Sequence, residues 1–296
     1  MCGIAGAVAA LPETEISDRI WRIVQELSHR GPDGSGGVAK DGVAIGNSRL
    51  AVIDLDQGHQ PKVADDGRVA AVLNGEIYNF KVIRRELENL GHKFTSNSDT
   101  ESILRGYLEW GTSLPDHLDG MFAIAITDRR NDSVFLARDR FGEKPLFYAN
   151  GTYGTVFASE IKALHSWPDI PRTLDRESLG YFIRLGFCPG IRTLFKEIQQ
   201  LEPGTAAVIT KSGLRTWSYF QPRYQPDSSI KTIEECVIIY VHCMRKPFTV
   251  KQYTPIILAR NVFDKSIFTF RNPWIKSFFL HQILWFYIVR MIYCST

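Results

Sequence analysis

Small apolar residues run unbroken from Gly3 to Ala10, which predicts a buried strand beginning almost at the N-terminus. Ile20, Ile23, Val24 and Leu27 then recur at helical spacing, and Gly31-Pro32 marks where that helix stops. Residues 43–53 read as strand around Asn47-Ser48-Arg49, and residues 69–73 as another strand ending at Asn74-Gly75. Residues 81–90 carry Val82, Ile83, Leu87 and Leu90 on one helical face, with Gly91 as the stop. A second helix is predicted over residues 100–110, with Ser98 and Asp99 as capping candidates and Gly111 at its end. Short strands follow at 121–127, 134–137, 146–148 and 156–158, separated by turns. Asp175 can cap a helix running to Leu185, and residues 206–209 and 214–219 form a closing hairpin around Ser212-Gly213. The order is α+β with a large antiparallel component, and no internal repeat is visible.

Composition changes this picture at one end only. The chain has 296 residues, 44% hydrophobic and 23% charged, which excludes a disordered, collagen-like or coiled-coil chain. A net charge of +3 is too small to argue for a nucleic-acid or membrane surface. Residues 237–296, however, hold eight Lys or Arg against one acid, Asp264, so that stretch carries +7 and residues 1–236 carry −4. The same stretch holds thirteen of the 35 aromatics and no glycine. An acidic body is thus followed by a basic, aromatic tail. Its longest apolar run, 278–293, is interrupted by His281, Gln282 and Arg290 and is shorter than the ~20 residues a spanning helix needs, so no membrane is expected. Cys2, Cys188, Cys236, Cys243 and Cys294 make no metal spacing and are odd in number, which argues against a disulfide framework. No charged-then-apolar leader opens the chain, and a reducing, cytoplasmic compartment is expected.

Cys2 is the first candidate for chemistry. If Met1 is trimmed, Cys2 carries a thiol and a free α-amine. The amine has an ordinary pKa near ~8 and the thiol near ~8.5, so one residue supplies both a nucleophile and its base. The alternative is an incidental small residue. Arg49 sits in an apolar segment, where its fork suits either a substrate carboxylate or a salt bridge to Asp54 or Asp56. Asn74 and the Gly75 amide follow a strand and suit either an oxyanion site or a plain Asn-Gly hairpin turn. Glu76 and Asp99 could bind an ammonium, Asp99 equally well serving as a helix cap. His29-Arg30-Gly31-Pro32-Asp33-Gly34 is a turn by composition, and His59 and His117 are read as structural, with no metal site.

Eight motifs in register give these candidates a common setting: Met1-Cys2-Gly3-Ile4-Ala5-Gly6, the 29–34 turn, 49–54, Asn74-Gly75-Glu76-Ile77-Tyr78-Asn79, Ser98-Asp99-Thr100-Glu101, Leu118-Asp119-Gly120-Met121-Phe122, Arg138-Asp139-Arg140-Phe141-Gly142 and 158–164. Over residues 1 to about 222 their order resembles the class II glutamine amidotransferases, which are N-terminal-nucleophile enzymes. The likeness is greatest to the glutaminase half of glutamine-hydrolysing asparagine synthetase. The resemblance implies a four-layer αββα sandwich over residues 2–222 in which Cys2 attacks the side-chain amide of L-glutamine, releasing ammonia and then glutamate. It implies an oxyanion hole of Asn74 and Gly75, a carboxylate contact from Arg49 and a pocket lined by Leu50, Ala51, Val52 and Ile53. It places the substrate ammonium on Glu76 and Asp99. No cofactor is expected for that step, and a homodimer is left open.

Asparagine synthetases continue into a domain that uses ATP and Mg to amidate aspartate, with a Ser-Gly-Gly-x-Asp-Ser phosphate loop. That string does not occur here, and residues 237–296 contain no glycine. Residues 223–296 are therefore expected to be an aberrant tail with the synthetase domain absent or truncated. Its composition suggests a wrong reading frame or a corrupted gene end, the alternative being a genuine small appendage. Two functional readings follow: an active glutaminase, or a non-catalytic fragment or interaction protein that keeps the fold.

Overall fold

The computed structural model describes residues 1–222. The chain divides into two units, Met1–Gln221 and Pro222–Thr296. The expectations for residues 223–296, including Cys236, Cys243 and Cys294, lie outside the described residues.

In chain order the elements are β1 (Gly3–Val8), α1 (Glu13–Glu26), β2 (Gly34–Lys40), β3 (Val43–Arg49), β4 (Lys62–Val63), β5 (Val69–Ile77), α2 (Phe80–Asn89), α3 (Asp99–Trp110), α4 (Leu114–His117), β6 (Gly120–Asp128), β7 (Ser133–Arg138), β8 (Phe147–Gly151), β9 (Gly154–Ala158), α5 (Ile161–Leu164), α6 (Arg176–Leu185), β10 (Ile198–Gln200), β11 (Thr205–Thr210) and β12 (Gly213–Ser218). Two six-stranded antiparallel sheets result, ordered β10-β8-β9-β1-β3-β2 and β12-β11-β7-β6-β5-β4.

Strand alternation assigns each side chain to a layer. In β1, Ile4 and Val8 point between the sheets, where they meet Val43 and Ile45 of β3, Ala70 and Val72 of β5, and Ala123 and Ala125 of β6. Ala5 and Ala7 point the other way, onto Ile16, Ile20, Ile23 and Val24 of α1. On the far side, Leu73 of β5 and Ile124 and Ile126 of β6 pack against Ile83 and Leu87 of α2 and Ile103 and Leu104 of α3. Three apolar layers between four layers of structure are the expected αββα sandwich.

The structure differs from the sequence reading at four places that bear on the site. β5 runs on to Ile77, so Asn74-Gly75 lies inside a strand, with Gly75 opposite Phe122 of β6, and is not a hairpin turn. β3 stops at Arg49, leaving residues 50–53 as loop. Residues 34–40 form β2, an edge strand whose four glycine and serine positions have no strand propensity of their own and which is held by pairing with β3. Ser98, not Asp99, is the N-cap of α3: its side chain accepts from Glu101 N, and Asp99 is the first helical residue. Asp175 does cap α6, accepting from Glu177 N.

Candidate active site

The apolar layer between the sheets ends at one edge of the molecule, and the same alternation then carries polar residues. Asn47 and Arg49 follow Val43 and Ile45 along β3, and Asn74 and Glu76 follow Ala70 and Val72 along β5. Cys2 lies two residues before Ile4. A cleft of about 120 Å³ opens there, and Cys2, Arg49, Asn74, Gly75, Glu76, Asp99 and Lys144 are among the residues around it.

Cys2 is half-buried and tied down on both sides. Its Sγ accepts from Leu50 N at 3.4 Å and faces Leu50 O at 3.6 Å. Arg30 Nε donates to Cys2 O at 2.9 Å, while Arg30 Nη1 donates to Glu160 Oε1 at 2.8 Å. Two residues on, Ile4 N donates to Ser159 Oγ at 2.9 Å and Ser159 N returns a bond to Ile4 O. Burial pushes the Cys2 thiol above its ordinary value, and the Leu50 amide, the N-terminal charge and Arg49 pull it part of the way back.

Arg49 forms no salt bridge with Asp54 or Asp56. Its fork donates to the carbonyls of Leu55 (3.2 Å), Ile53 (3.4 Å) and Asp54 (2.8 Å), winding residues 50–55 around the guanidinium. The Asp54 carboxylate instead accepts from Asn97 N at 2.6 Å and Gln57 N at 3.1 Å, which hold it below the usual carboxylate range. The 29–34 turn braces the loop from behind. Ser48 Oγ donates to Gly31 O, Asp33 N to Arg49 O, and Ala51 N to Asp33 Oδ2. Gly31 is required there, since a Cβ would collide with the backbone of Ser48 and Arg49. Leu50, Val52 and Ile53 border the cleft, whereas Ala51 does not and is taken up by its bond to Asp33.

Asn74 is wholly buried, and neither its Oδ1 nor its Nδ2 has a partner among the described residues. A buried amide left this way costs roughly 1–3 kcal/mol, which a strand position does not explain and a ligand would offset. Gly75 beside it has φ +147°, and a Cβ would collide with Met121 O and Phe122 Cα on β6. Asp99 is buried, accepts from Ile77 N at 3.3 Å, and is pushed up to about 6, chiefly by burial. Glu101, also buried, accepts from the amides of Thr95 and Ser96 and so shapes the approach to Asp99.

Sequence reasoning did not place three residues of this site. Arg30 was visible only as part of a turn, yet it fixes the Cys2 backbone. Gln60 reaches the cleft with its Oε1 held by Leu73 N at 2.8 Å. Lys144 comes from the β7–β8 connection, and only its place two residues after the 138–142 motif hinted at it. Asn47, wholly buried with both side-chain atoms unpartnered among the described residues, is a fourth polar residue on the same face of β3 as Arg49. His117 stacks on Trp110 with centroids 3.8 Å apart, in keeping with a structural part. Among the described residues no group of His, Cys, Asp and Glu could hold a metal, and no helix is long and apolar enough to cross a membrane.

Residues 1–220 match the glutamine amidotransferase domain family. The chain is 39% identical over 228 residues to asparagine synthetase [glutamine-hydrolyzing] 3 of Bacillus subtilis, covering 74% of this chain and 36% of that protein. It is 42% identical over 166 residues to an Arabidopsis thaliana asparagine synthetase [glutamine-hydrolyzing] 2, covering 55% of this chain and 28% of that protein. The chain thus spans little more than a third of the length of such relatives. Among solved structures, glutamine phosphoribosylpyrophosphate amidotransferase from B. subtilis superposes with a TM-score of 0.56 at 20% identity, over 76% of this chain and 50% of that one. This last likeness concerns the fold.

Proposed function

The chain belongs to the class II glutamine amidotransferases, an enzyme family, and from that premise we propose that it hydrolyses the side-chain amide of L-glutamine with Cys2 as nucleophile. The observation that carries the reading is Asn74: a wholly buried amide without a partner, on the wall of the cleft that also holds the Cys2 thiol.

In this reading Met1 is removed and the α-amine of Cys2 takes the thiol proton as Sγ attacks the amide carbon. Asn74 Nδ2 and Gly75 N–H donate to the oxyanion that forms. The amine's proton passes to the departing nitrogen, the C–N bond breaks, and ammonia leaves a γ-glutamyl thioester on Cys2. Water then attacks the thioester with the amine as base, releasing glutamate and restoring the thiol. Loop carbonyls take three of Arg49's five N–H donors, and the other two meet the substrate α-carboxylate. Leu50, Val52 and Ile53 border its aliphatic stem, and Glu76 and Asp99 hold its ammonium. Every assigned group lies between residues 2 and 99, and the step uses no nucleotide or metal.

The test is a glutamate assay with the full chain, glutamine, and no ATP. Wild-type protein should form glutamate and ammonia, intact mass should show a chain starting at Cys2, and Cys2→Ala should bind glutamine in calorimetry without turning it over. Turnover by Cys2→Ala at the wild-type rate would overturn the assignment. Binding without turnover by the wild type would favour the second reading, a non-catalytic fragment. Use of the ammonia to make asparagine is the activity in the relatives' names. For this chain it is tested by adding aspartate and Mg-ATP and measuring asparagine.

A further inference from the structure

Lys144 borders the cleft and the mechanism above leaves it unused. It is 7% exposed, although a lysine can usually carry its ammonium to water. Its backbone is locked: its N–H donates to Asp139 Oδ2 at 3.0 Å and its carbonyl accepts from Arg138 Nε at 2.7 Å. The Asp139 carboxylate is occupied by the amides of Phe122, Phe141 and Glu143 as well. Nζ contacts Met1 Sδ at 3.4 Å. Among the described residues the lysines with a carboxylate within 4 Å are Lys162 and Lys211, so Lys144 holds its positive charge beside Met1 without a direct ion pair. Burying such a charge is unfavourable unless something nearby uses it.

Resting on the Cys2 reading, we propose that Lys144 is a positioning residue of the active site, a fixed cation beside the Cys2 α-amine that keeps this amine unprotonated and therefore able to accept the thiol proton. The need for it comes from two carboxylates of the same cleft. Glu76 from β5 and Asp99 from α3 are placed to hold the substrate's ammonium, and the same two carboxylates favour a protonated Cys2 amine. The other cations nearby are committed: Arg30 to Glu160, which also accepts from His29, and Arg49 to the loop carbonyls. Glu143, next in the chain, is exposed; desolvation and Asp139 push its carboxyl above the ordinary value, and Lys144 pulls it part of the way back. Removal of Met1 takes away the sulfur that Nζ touches, and Cys2, which then becomes the terminus, borders the same cleft as Lys144.

The proposal is tested with Lys144→Gln and Lys144→Arg in the full chain. Loss of a neighbouring cation raises an amine pKa, so the acid limb of kcat/KM should move up by about one pH unit in Lys144→Gln. That is about tenfold lower kcat/KM near pH 6, with wild-type values recovered near pH 9, and Lys144→Arg should restore the wild-type profile. Lys144→Met, apolar and close in length, replaces the Gln variant should the latter melt early. The second readout needs no turnover: the N-terminal amine is titrated by 15N NMR in Cys2→Ala, with and without Lys144→Gln. A higher amine pKa without Lys144 supports the proposal. An unchanged amine pKa, a loss of rate equal at every pH, or a retained Met1 overturns it. Wild-type protein that fails to hydrolyse glutamine would sink the glutaminase reading instead, and the amine titration would still judge Lys144.

Discussion

Asp99 is held where it is costly to fold. Its carboxyl sits near 6 in the folded chain against roughly 4 when unfolded, so the folded state holds the proton more tightly. Stability is therefore lost as pH rises from about 4 to about 6, and the penalty is fully present above the folded pKa. Asp99→Asn keeps an acceptor for Ile77 N and removes the charge. Denaturant unfolding should show it more stable by roughly 1–3 kcal/mol at pH 8 and equal to wild type below pH 4. Glutamine binding should weaken in the same variant, and in the wild type as pH falls through about 6. Asn74 follows the same logic. Because neither end of its amide is satisfied, Asn74→Ala should leave the melting temperature unchanged or higher while lowering kcat by about 10²-fold or more.

At the scale of elements, the site depends on two backbone arrangements. Gly75 lets β5 continue past Asn74 while pressed against β6, so Gly75→Ala must displace Met121 and Phe122 or break the pairing. A loss of about 2–4 kcal/mol and of activity is expected, read by thermal melting and the glutamate assay. The loop after β3 depends on Arg49 as its hub. Arg49→Lys keeps the charge but cannot serve three carbonyls and a carboxylate from one planar fork. Its KM for glutamine should rise far more than its kcat falls, and amide exchange at residues 53–58 should quicken, since Gly58 N bonds Asp54 O within that loop.

For the whole molecule, one layer between two sheets is apolar along most of its length and polar where it opens. Phe157 of β9 is wholly buried in the apolar part and lies over Gly6 of β1. Phe157→Ala should cost about 3–5 kcal/mol in denaturant unfolding. Because β1 carries Cys2 at its start, the rate should fall too, although Phe157 does not border the cleft. The sandwich thus acts as a frame that brings Cys2 beside one sheet and Asn74 of the other to one cleft.

Much of this was legible along the chain. Period-two and period-3.6 patterns are local, and they placed β1, β6, β7, β9, α2, α3, α6 and the β11–β12 hairpin within a few residues. The motifs supplied the family and the residues Cys2, Arg49, Asn74, Gly75, Glu76 and Asp99, all of which the fold brings to one cleft. What remained hidden depends on partners distant in sequence. β2 has no strand signal until β3 lies beside it. Arg49 had two readings as a single residue, and the loop's path chose carbonyls over the Asp54 carboxylate. Asn74-Gly75 looks like a turn until β6 pairs across it. Arg30 and Lys144 reach the N-terminus across 28 and 143 residues of chain. Hydrophobic periodicity says which face of an element is buried, but not which other face it meets, and a polar side chain's role is set by what it meets.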